Sequence, residues 1–332
     1  MEPLSRESLR KRIFSIQNQP EFEELALSIF RYQSEENTVY RKYLNFLKRD
    51  FQSITTIEEI PFLPIEFFKT EKVLSHFTDA DLIFTSSSTT GSVPSRHYIP
   101  DPELYEESFF AAFDIFYGKP ADYCILALLP SYLERKGSSL VYMVDKLIEE
   151  SKHSEGGFYL HNHKALAEKL EVLKQAKQKT MLIGVTFALL DFVEKFPMEF
   201  PELIVMETGG MKGKREELIR EEVHSILKSG FALQKIHSEY GMTELLSQAY
   251  SSGDGIFSCP PWMKILIREP NDPFYLLPDG KSGGINIIDL ANLDSCSFIE
   301  TQDLGKTHEK SLFEVLGRFD TSDLRGCNLM VL

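Results

Sequence analysis

Residues 84–97 read FTSSSTTGSVPSRH, a run of hydroxyls with one glycine, one proline, an arginine and a histidine. Small residues let backbone N–H groups and hydroxyls approach an anion closely, so such a loop can cradle phosphate. The G-x-x-x-x-G-K-[ST] spacing of a Walker loop is absent. A solvated loop whose Ser and Thr bond their own backbone is the alternative. Four more polar or glycine-containing motifs follow: Glu207-Thr208-Gly209-Gly210, His237-Ser238-Glu239-Tyr240-Gly241-Met242-Thr243-Glu244, Thr301-Gln302-Asp303-Leu304-Gly305 and Gly317-Arg318-Phe319-Asp320. Taken singly, these residues have plain structural roles open to them. Tyr240 suits a strand-end core aromatic, Glu244 the first turn of a helix, Asp303 a turn and Arg318 a solvated surface.

The elements that must position these motifs are legible from hydrophobic periodicity. Residues 1–80 read as mostly helical, with Phe22, Leu25, Ala26, Ile29 and Phe30 on one face and Tyr40, Tyr43, Leu44 and Leu47 on another. The run 81–84 is strand-like, and 101–116 has helical spacing, which puts the hydroxyl loop between a strand and a helix. Alternation follows: strand 122–129, helices 138–151 and 164–178, strand 180–186, helix 187–196, strand 202–207, helix 214–229 and strand 233–238. This pattern predicts a largely parallel sheet covered on both faces, with ligands at the carboxyl ends of its strands. After about residue 253 short apolar runs punctuated by turns predict antiparallel β-structure, with PDGKSGG as a turn. The expected organisation is therefore an α/β part over 1–253, helical at its N-terminus, and a β-rich part over 254–332.

Composition bounds the function. The 332 residues are 42% apolar with 25 Phe and 13 Tyr, enough for a sizeable core, and the net charge of −14 argues against a nucleic-acid partner. Neither a secretory h-region nor a membrane-length apolar stretch occurs, so the sequence reads as cytoplasmic. Cys124, Cys259, Cys296 and Cys327 are scattered without a C-x-x-C pair, which suits reduced thiols. His161-Asn162-His163 reads as a loop or helix N-terminus rather than a metal site.

In their order and separations, the five motifs resemble the adenylate-forming superfamily, which makes acyl-AMP from ATP and a carboxylate. YGMTE is the most specific part, and the likeness runs from about residue 81 to the end. Within that superfamily, FTSSSTTGSVPSRH and LPSYLERKGSSLVYM are similar to the acyl-protein synthetases of bacterial fatty-acid reductase systems. The resemblance implies layered α/β sheets of the adenylate-forming N-terminal domain with a small antiparallel β subdomain, and no mobile C-terminal lid, since RGCNLMVL stands where phenylacetate-CoA ligases read on into theirs. It implies that Ser86, Ser87, Ser88, Thr89, Thr90 and Gly91 wrap the β- and γ-phosphates of ATP. Gly209 and Gly210 would let the backbone approach the purine, Tyr240 and Gly241 would lie at the adenine, and Asp303 would accept from the ribose hydroxyls. Thr243 would bond the α-phosphate, Glu244 would hold Mg²⁺, and Arg318 would contact ribose or phosphate oxygens. Two departures stand out: Ser88 where the family usually has glycine, and Ser95-Arg96 where most relatives have a lysine after the loop proline.

The implied reaction is ATP-dependent activation of a fatty or related carboxylic acid. Acyl transfer to a protein thiol would follow, with Cys327 as the carrier and a reductase or carrier protein as partner. A buried structural role is the other reading of Cys327. A CoA ligase and a non-catalytic nucleotide- or acyl-binding scaffold are the alternatives. The acid's tail is expected in a slot lined by residues 184–188 and the backbone near Gly209, with core packing as the competing account for Val185 and Phe187.

Overall fold

The computed structural model describes residues 5–48, 51, 53–87, 93–130, 134–209 and 218–319. The chain opens with helices α1 (Arg6–Ile13), α2 (Gln19–Glu36) and α3 (Thr38–Leu47). α2 begins where the Asn18 side chain accepts from the Glu21 N–H, with Pro20 in the first turn, and it buries the stripe from Phe22 to Phe30 that its spacing predicts. Short β1 (Leu63–Pro64) and α4 (Phe67–Thr70) lead to β2 (Leu82–Thr85) and β3 (Arg96–Ile99). These two strands pair antiparallel, so the hydroxyl run lies within a hairpin and not between a strand and a helix. The expected helix follows one strand later as α5 (Pro102–Tyr117), capped by Asp101 and ended at Gly118 with φ +85°.

The alternating part follows as β4 (Cys124–Leu128), α6 (Ser139–Ser151), β5 (Gly157–Phe158), α7 (His163–Gln175), β6 (Thr180–Val185), α8 (Thr186–Lys195), β7 (Ile204–Thr208), α9 (Arg220–Phe231) and β8 (His237–Tyr240). Residues 214–217 of the expected helix 214–229 lie outside the described residues. Asn162, between the two close histidines, caps the N-terminus of α7. The remaining strands are β9 (Ala249–Ser251), β10 (Ile256–Ser258), β11 (Met263–Glu269), β12 (Asp272–Leu276), β13 (Ser282–Asp289), β14 (Phe298–Thr307) and β15 (Leu312–Arg318).

One sheet runs β12-β11-β13-β14-β15-β10-β9-β8-β7-β6-β4-β5, with β1 added parallel to β14. Its β4 to β8 side is parallel, as βαβ crossovers demand, and the rest, from β9 on, pairs antiparallel. PDGKSGG links β12 to β13, which flank β11, so that turn crosses over a strand and does not close a hairpin. The architecture is a layered α/β fold with an antiparallel β portion.

The N-terminal helices are bolted to the strand β13–β14 connection. Gln33 Nε2 donates to the carbonyls of Asn292 and Leu293, each at 2.9 Å, and its side-chain carbonyl accepts from the Ser297 N–H at 2.9 Å. Arg6 forks onto Asp294 at 2.6 Å through both Nε and Nη2, and also reaches Asp101 at 2.7 Å. Phe298 packs among Phe30, Tyr40 and Phe62.

Candidate nucleotide site

β8 carries the central motif into the middle of the sheet, and its neighbours supply the rest. Tyr240, at the carboxyl end of β8, donates its hydroxyl to Asp303 Oδ2 at 2.8 Å. Asp303 on β14 and Arg318 on β15 are register partners, and Arg318 Nε donates to Asp303 Oδ1 at 3.0 Å. Asp303 is buried while the Arg318 side chain is 79% exposed, so the guanidinium keeps most of its donors free for an anion. Tyr240 also packs its ring against Phe257 and Phe313, as the core-aromatic reading expects.

The loop after Tyr240 is held from two directions. His97 on β3 is fully buried, and its Nδ1 lies 2.8 Å from the Thr243 carbonyl. A carbonyl only accepts, so Nδ1 carries the proton, and burial holds the imidazole's pKa down to about 4, leaving it neutral. From the other side Asp289, at the end of β13, accepts from the N–H groups of Leu246 at 2.8 Å and Ser247 at 3.0 Å and from Ser247 Oγ at 2.5 Å. Asn292 Nδ2 donates to the Glu244 carbonyl at 2.8 Å. None of His97, Asp289 and Asn292 stood out as a site residue in the sequence. His97 closes the quoted loop motif, while Asp289 and Asn292 belong to an ordinary-looking strand end.

Glu244 is 5% exposed. Burial raises its carboxyl above the ordinary glutamate range, opposed by a hydrogen bond with Ser95 and by the charges of Arg318 and Lys69. Glu244 thus shares its surroundings with the loop hairpin on one side and with Arg318 on the other. The hairpin's neck is closed at 86 and 95: the Ser95 N–H donates to Ser86 Oγ at 2.9 Å, and the Ser86 N–H donates to the Ser95 carbonyl at 3.1 Å. Ser87 leads on from that neck. Ser88, Thr89, Thr90, Gly91, Gly210 and Cys327 lie outside the described residues.

Gly209 follows the end of β7, and among the described residues a Cβ built there would meet nothing within 4 Å. β7 pairs with β8, which sets this open edge beside the central motif. The neighbouring Glu207 is buried. Its carboxyl is nonetheless held below the ordinary range, because hydrogen bonds from His224 and Ser238 and the charge of Arg220 outweigh the cost of burial. Thr186 Oγ1 also donates to Glu207 at 3.1 Å. The segment expected to line an acyl slot is close-packed instead: Val185 and Ala188 are buried core, and a Cβ on Gly184 would come within 2.9 Å of Leu128 and Leu189. That face of β6 is used up by helix packing.

The residues present fit a nucleotide with its metal. Among the described residues there is open space at Gly209, a carboxylate at Asp303 with acceptor capacity beyond its two bonds, a guanidinium at Arg318 with donors beyond its bond to Asp303 and a buried carboxyl group at Glu244. Among the described residues no group of three or more His, Cys, Asp or Glu side chains is placed to hold a metal ion. Mg²⁺ bound with a nucleotide does not need one, because one carboxylate, phosphate oxygens and water complete its octahedron. Among the described residues, no helix is long and apolar enough to cross a membrane.

The fold is of the kind seen in the N-terminal domains of adenylate-forming enzymes. Among solved structures the chain is similar to 2-hydroxyisobutyryl-CoA ligase in an open conformation with 2-HIB-AMP and CoA. That match has 13% identity and a TM-score of 0.66, and covers 92% of this chain and 72% of that one. It is also similar to ATP-bound MatB from Rhodopseudomonas palustris, at 16% identity and a TM-score of 0.54, over 73% of this chain. The match takes in 49% of MatB, so it spans about half of that protein's length. No protein-family model and no curated protein matches the chain. At these identities the likeness establishes the fold.

Proposed function

We propose that the chain activates a carboxylic acid with ATP, forming an acyl-adenylate and pyrophosphate, and passes the acyl group to a thiol. The observation that carries this reading is the convergence of three separate stretches on the loop 240–244. His97 and Ser95 reach it from the hydroxyl hairpin, and Asp303 and Arg318 from the antiparallel strands. A carboxylate oxygen attacks the α-phosphorus, the bond from that phosphorus to the bridging oxygen breaks, and pyrophosphate leaves. Charge builds on the α-phosphoryl oxygens, where the Thr243 hydroxyl and the Arg318 guanidinium are the donors this chain supplies. Glu244 would hold Mg²⁺, which neutralises phosphate charge when bound. Asp303 would orient the ribose while keeping Tyr240 and Arg318 in place.

The thiol acceptor follows the likeness to acyl-protein synthetases, with Cys327 as its carrier and a reductase or carrier protein as the next recipient. The other three cysteines support that choice in one respect. Burial pushes the Cys124 thiol up to about 11 and Cys296 up to about 12, and raises Cys259 as well, so none of them is a ready thiolate. Incubation with ATP, Mg²⁺ and labelled acid should put hydroxylamine-sensitive label on the wild type and none on Cys327→Ser. Equal labelling of both excludes this cysteine. CoA is the second acceptor to test, because 2-hydroxyisobutyryl-CoA ligase is a fold neighbour seen with CoA.

The activation step is tested by carboxylate-dependent exchange of labelled pyrophosphate into ATP. Wild type should exchange, and Glu244→Ala should lose at least about 100-fold while its circular dichroism is unchanged. Undiminished exchange in Glu244→Ala would remove Glu244 from the site. No exchange by wild type with any acid would leave the nucleotide-binding scaffold as the better reading.

A further inference from the structure

Glu244 sits in a tight turn whose two central carbonyls are both held from outside. The Leu245 N–H donates to the Met242 carbonyl at 3.1 Å, which makes Thr243 and Glu244 the central residues of a four-residue turn. Types I and II of such a turn share that closing bond and differ in the way the central peptide faces. Here that peptide is fixed from β3, where His97 Nδ1 lies 2.8 Å from the Thr243 carbonyl. In a planar trans peptide the N–H points opposite to the C=O, so this bond turns the Glu244 N–H away from His97, and the Glu244 carboxyl accepts it. The next carbonyl, that of Glu244 itself, is held at 2.8 Å by Asn292 Nδ2 from the turn after β13.

The second polar atom of each holder is given up. His97 Nε2 and Asn292 Oδ1 are buried without a hydrogen-bond partner among the described residues, and both residues are 0% exposed. Burying an unpaired polar atom costs stability, so an apolar side chain would suit either position better but for the one bond each makes to the turn. Both holders are braced in their turn. The His97 ring stands edge-on to Phe68 with centroids 5.5 Å apart, and the Asn292 carbonyl accepts from Gln33 Nε2 at 2.9 Å. Ser95, His97 and Ile99 alternate along the buried face of the hairpin's second arm. Ser95 bonds the Glu244 carboxyl and His97 the carbonyl just before it, so one face of the hydroxyl hairpin meets both the side chain and the backbone of the turn.

We propose that His97 and Asn292 are positioning residues of the site: they clamp the peptides on either side of Glu244 and thereby set its carboxyl at a fixed place relative to the hydroxyl hairpin. The inference rests on the function proposed above and deepens it, since the hold of Glu244 on Mg²⁺ is what the clamp would serve. Bonds that orient a metal ligand from behind typically matter about 10–100-fold in metal affinity or activity.

The test is ATP binding by isothermal titration, once with Mg²⁺ and once with EDTA, alongside pyrophosphate exchange. His97→Phe keeps a ring against Phe68 and removes the N–H, and Asn292→Leu likewise keeps shape and removes the donor. His97→Asn restores an N–H on an atom bonded to Cγ, as Nδ1 is. His97→Phe and Asn292→Leu should each cut the affinity gain that Mg²⁺ gives by at least about tenfold, with binding in EDTA within about twofold of wild type. His97→Asn should keep that gain to within about threefold. In the wild type, long-range ¹H–¹⁵N NMR should find a proton on His97 Nδ1 and none on Nε2. A merely structural role would lower the melting temperature and weaken ATP binding equally with and without Mg²⁺. That result, His97→Phe no worse than His97→Asn, a proton on Nε2, or no gain from Mg²⁺ in the wild type would overturn the clamp. Selective loss in the variants with no pyrophosphate exchange by wild type would overturn adenylation and leave the clamp standing. Full exchange by His97→Phe and Asn292→Leu would do the reverse.

Discussion

Glu239 and Glu244 lie five residues apart and are raised for one shared reason, burial, but opposed to different degrees. Glu244 has Ser95, Arg318 and Lys69 to favour its charged form, whereas the charge acting on Glu239 is that of another carboxylate, Glu207. The tyrosines that share its surroundings, Tyr105, Tyr117 and Tyr250, are neutral near pH 7 because their own ionisation is pushed upward. A carboxyl raised in the fold binds its proton more tightly there than in the unfolded chain. Its stabilisation is therefore complete below the unfolded value near 4.5 and is lost as pH rises through about 8. Asp289, Asp294 and Glu300 are raised too and act with the same sign, so the comparison must be with a variant. Glu239→Gln should melt close to wild type at pH 5 and above it at pH 9. Parallel melting-temperature profiles from pH 5 to 9 would show that Glu239 is not buried as its surroundings imply. At this scale the motif draws the eye to Tyr240, Thr243 and Glu244, whose proposed roles the exchange assay tests. The sequence was silent on the row formed by Thr208, Glu239 and Tyr250, because that relation exists only through strand register.

At the scale of elements, the contrast between β8 and its flanks explains which readings succeeded. Apolarity around Leu233 and Ile236 predicts a strand over 233–238, but those side chains plug the core from the connection after α9, which ends at Ala232 in the left-handed region with φ +55°. The strand itself is the polar His237–Tyr240, buried because it lies in the interior of the sheet. Helices α6, α7 and α8 lie within a few residues of their predicted spans, since each has an amphipathic face of its own. The β2–β3 hairpin was not legible, because Arg96–Ile99 is a short run without an apolar signature. Asp289 is the element-scale counterpart of a cap: it ties the loop after Glu244 to β13 by accepting from two backbone N–H groups and the Ser247 hydroxyl, with a further bond from the Ala291 N–H at 3.2 Å. Asp289→Ala would strand these donors in the interior and should cost about 3 kcal/mol of stability. Asp289→Asn keeps an acceptor and should cost less. Denaturant unfolding of the two variants decides this, and equal, small losses would mean that the loop is held by Asn292 and His97 instead.

On the scale of the whole molecule, the sheet bears on how the chain is organised. The expected division near residue 253 falls between β9 and β10, yet these strands pair, with Ser258 opposite Tyr250, and β10 pairs in turn with β15. The proposed site is assembled across the same line, from Tyr240 on one side and Asp303 and Arg318 on the other. The N-terminal helices add a second bridge, since Gln33, Asn37 and Arg6 bond to residues 292–297. Separate domains meet through interfaces that resemble those between proteins, and their unfolding is then separable. Here backbone hydrogen bonds, buried side-chain amides and the Phe298 aromatic cluster all cross the line, which couples the parts. Heating should therefore give one calorimetric transition whose van't Hoff and calorimetric enthalpies agree, and Arg6→Ala should lower its midpoint without splitting it. Two resolved transitions, or a stable proteolytic fragment ending near residue 253, would instead support a division into α/β and β-rich units. In that case Tyr240 and Asp303 would be brought together by docking, and nucleotide binding should raise the transition of both units together.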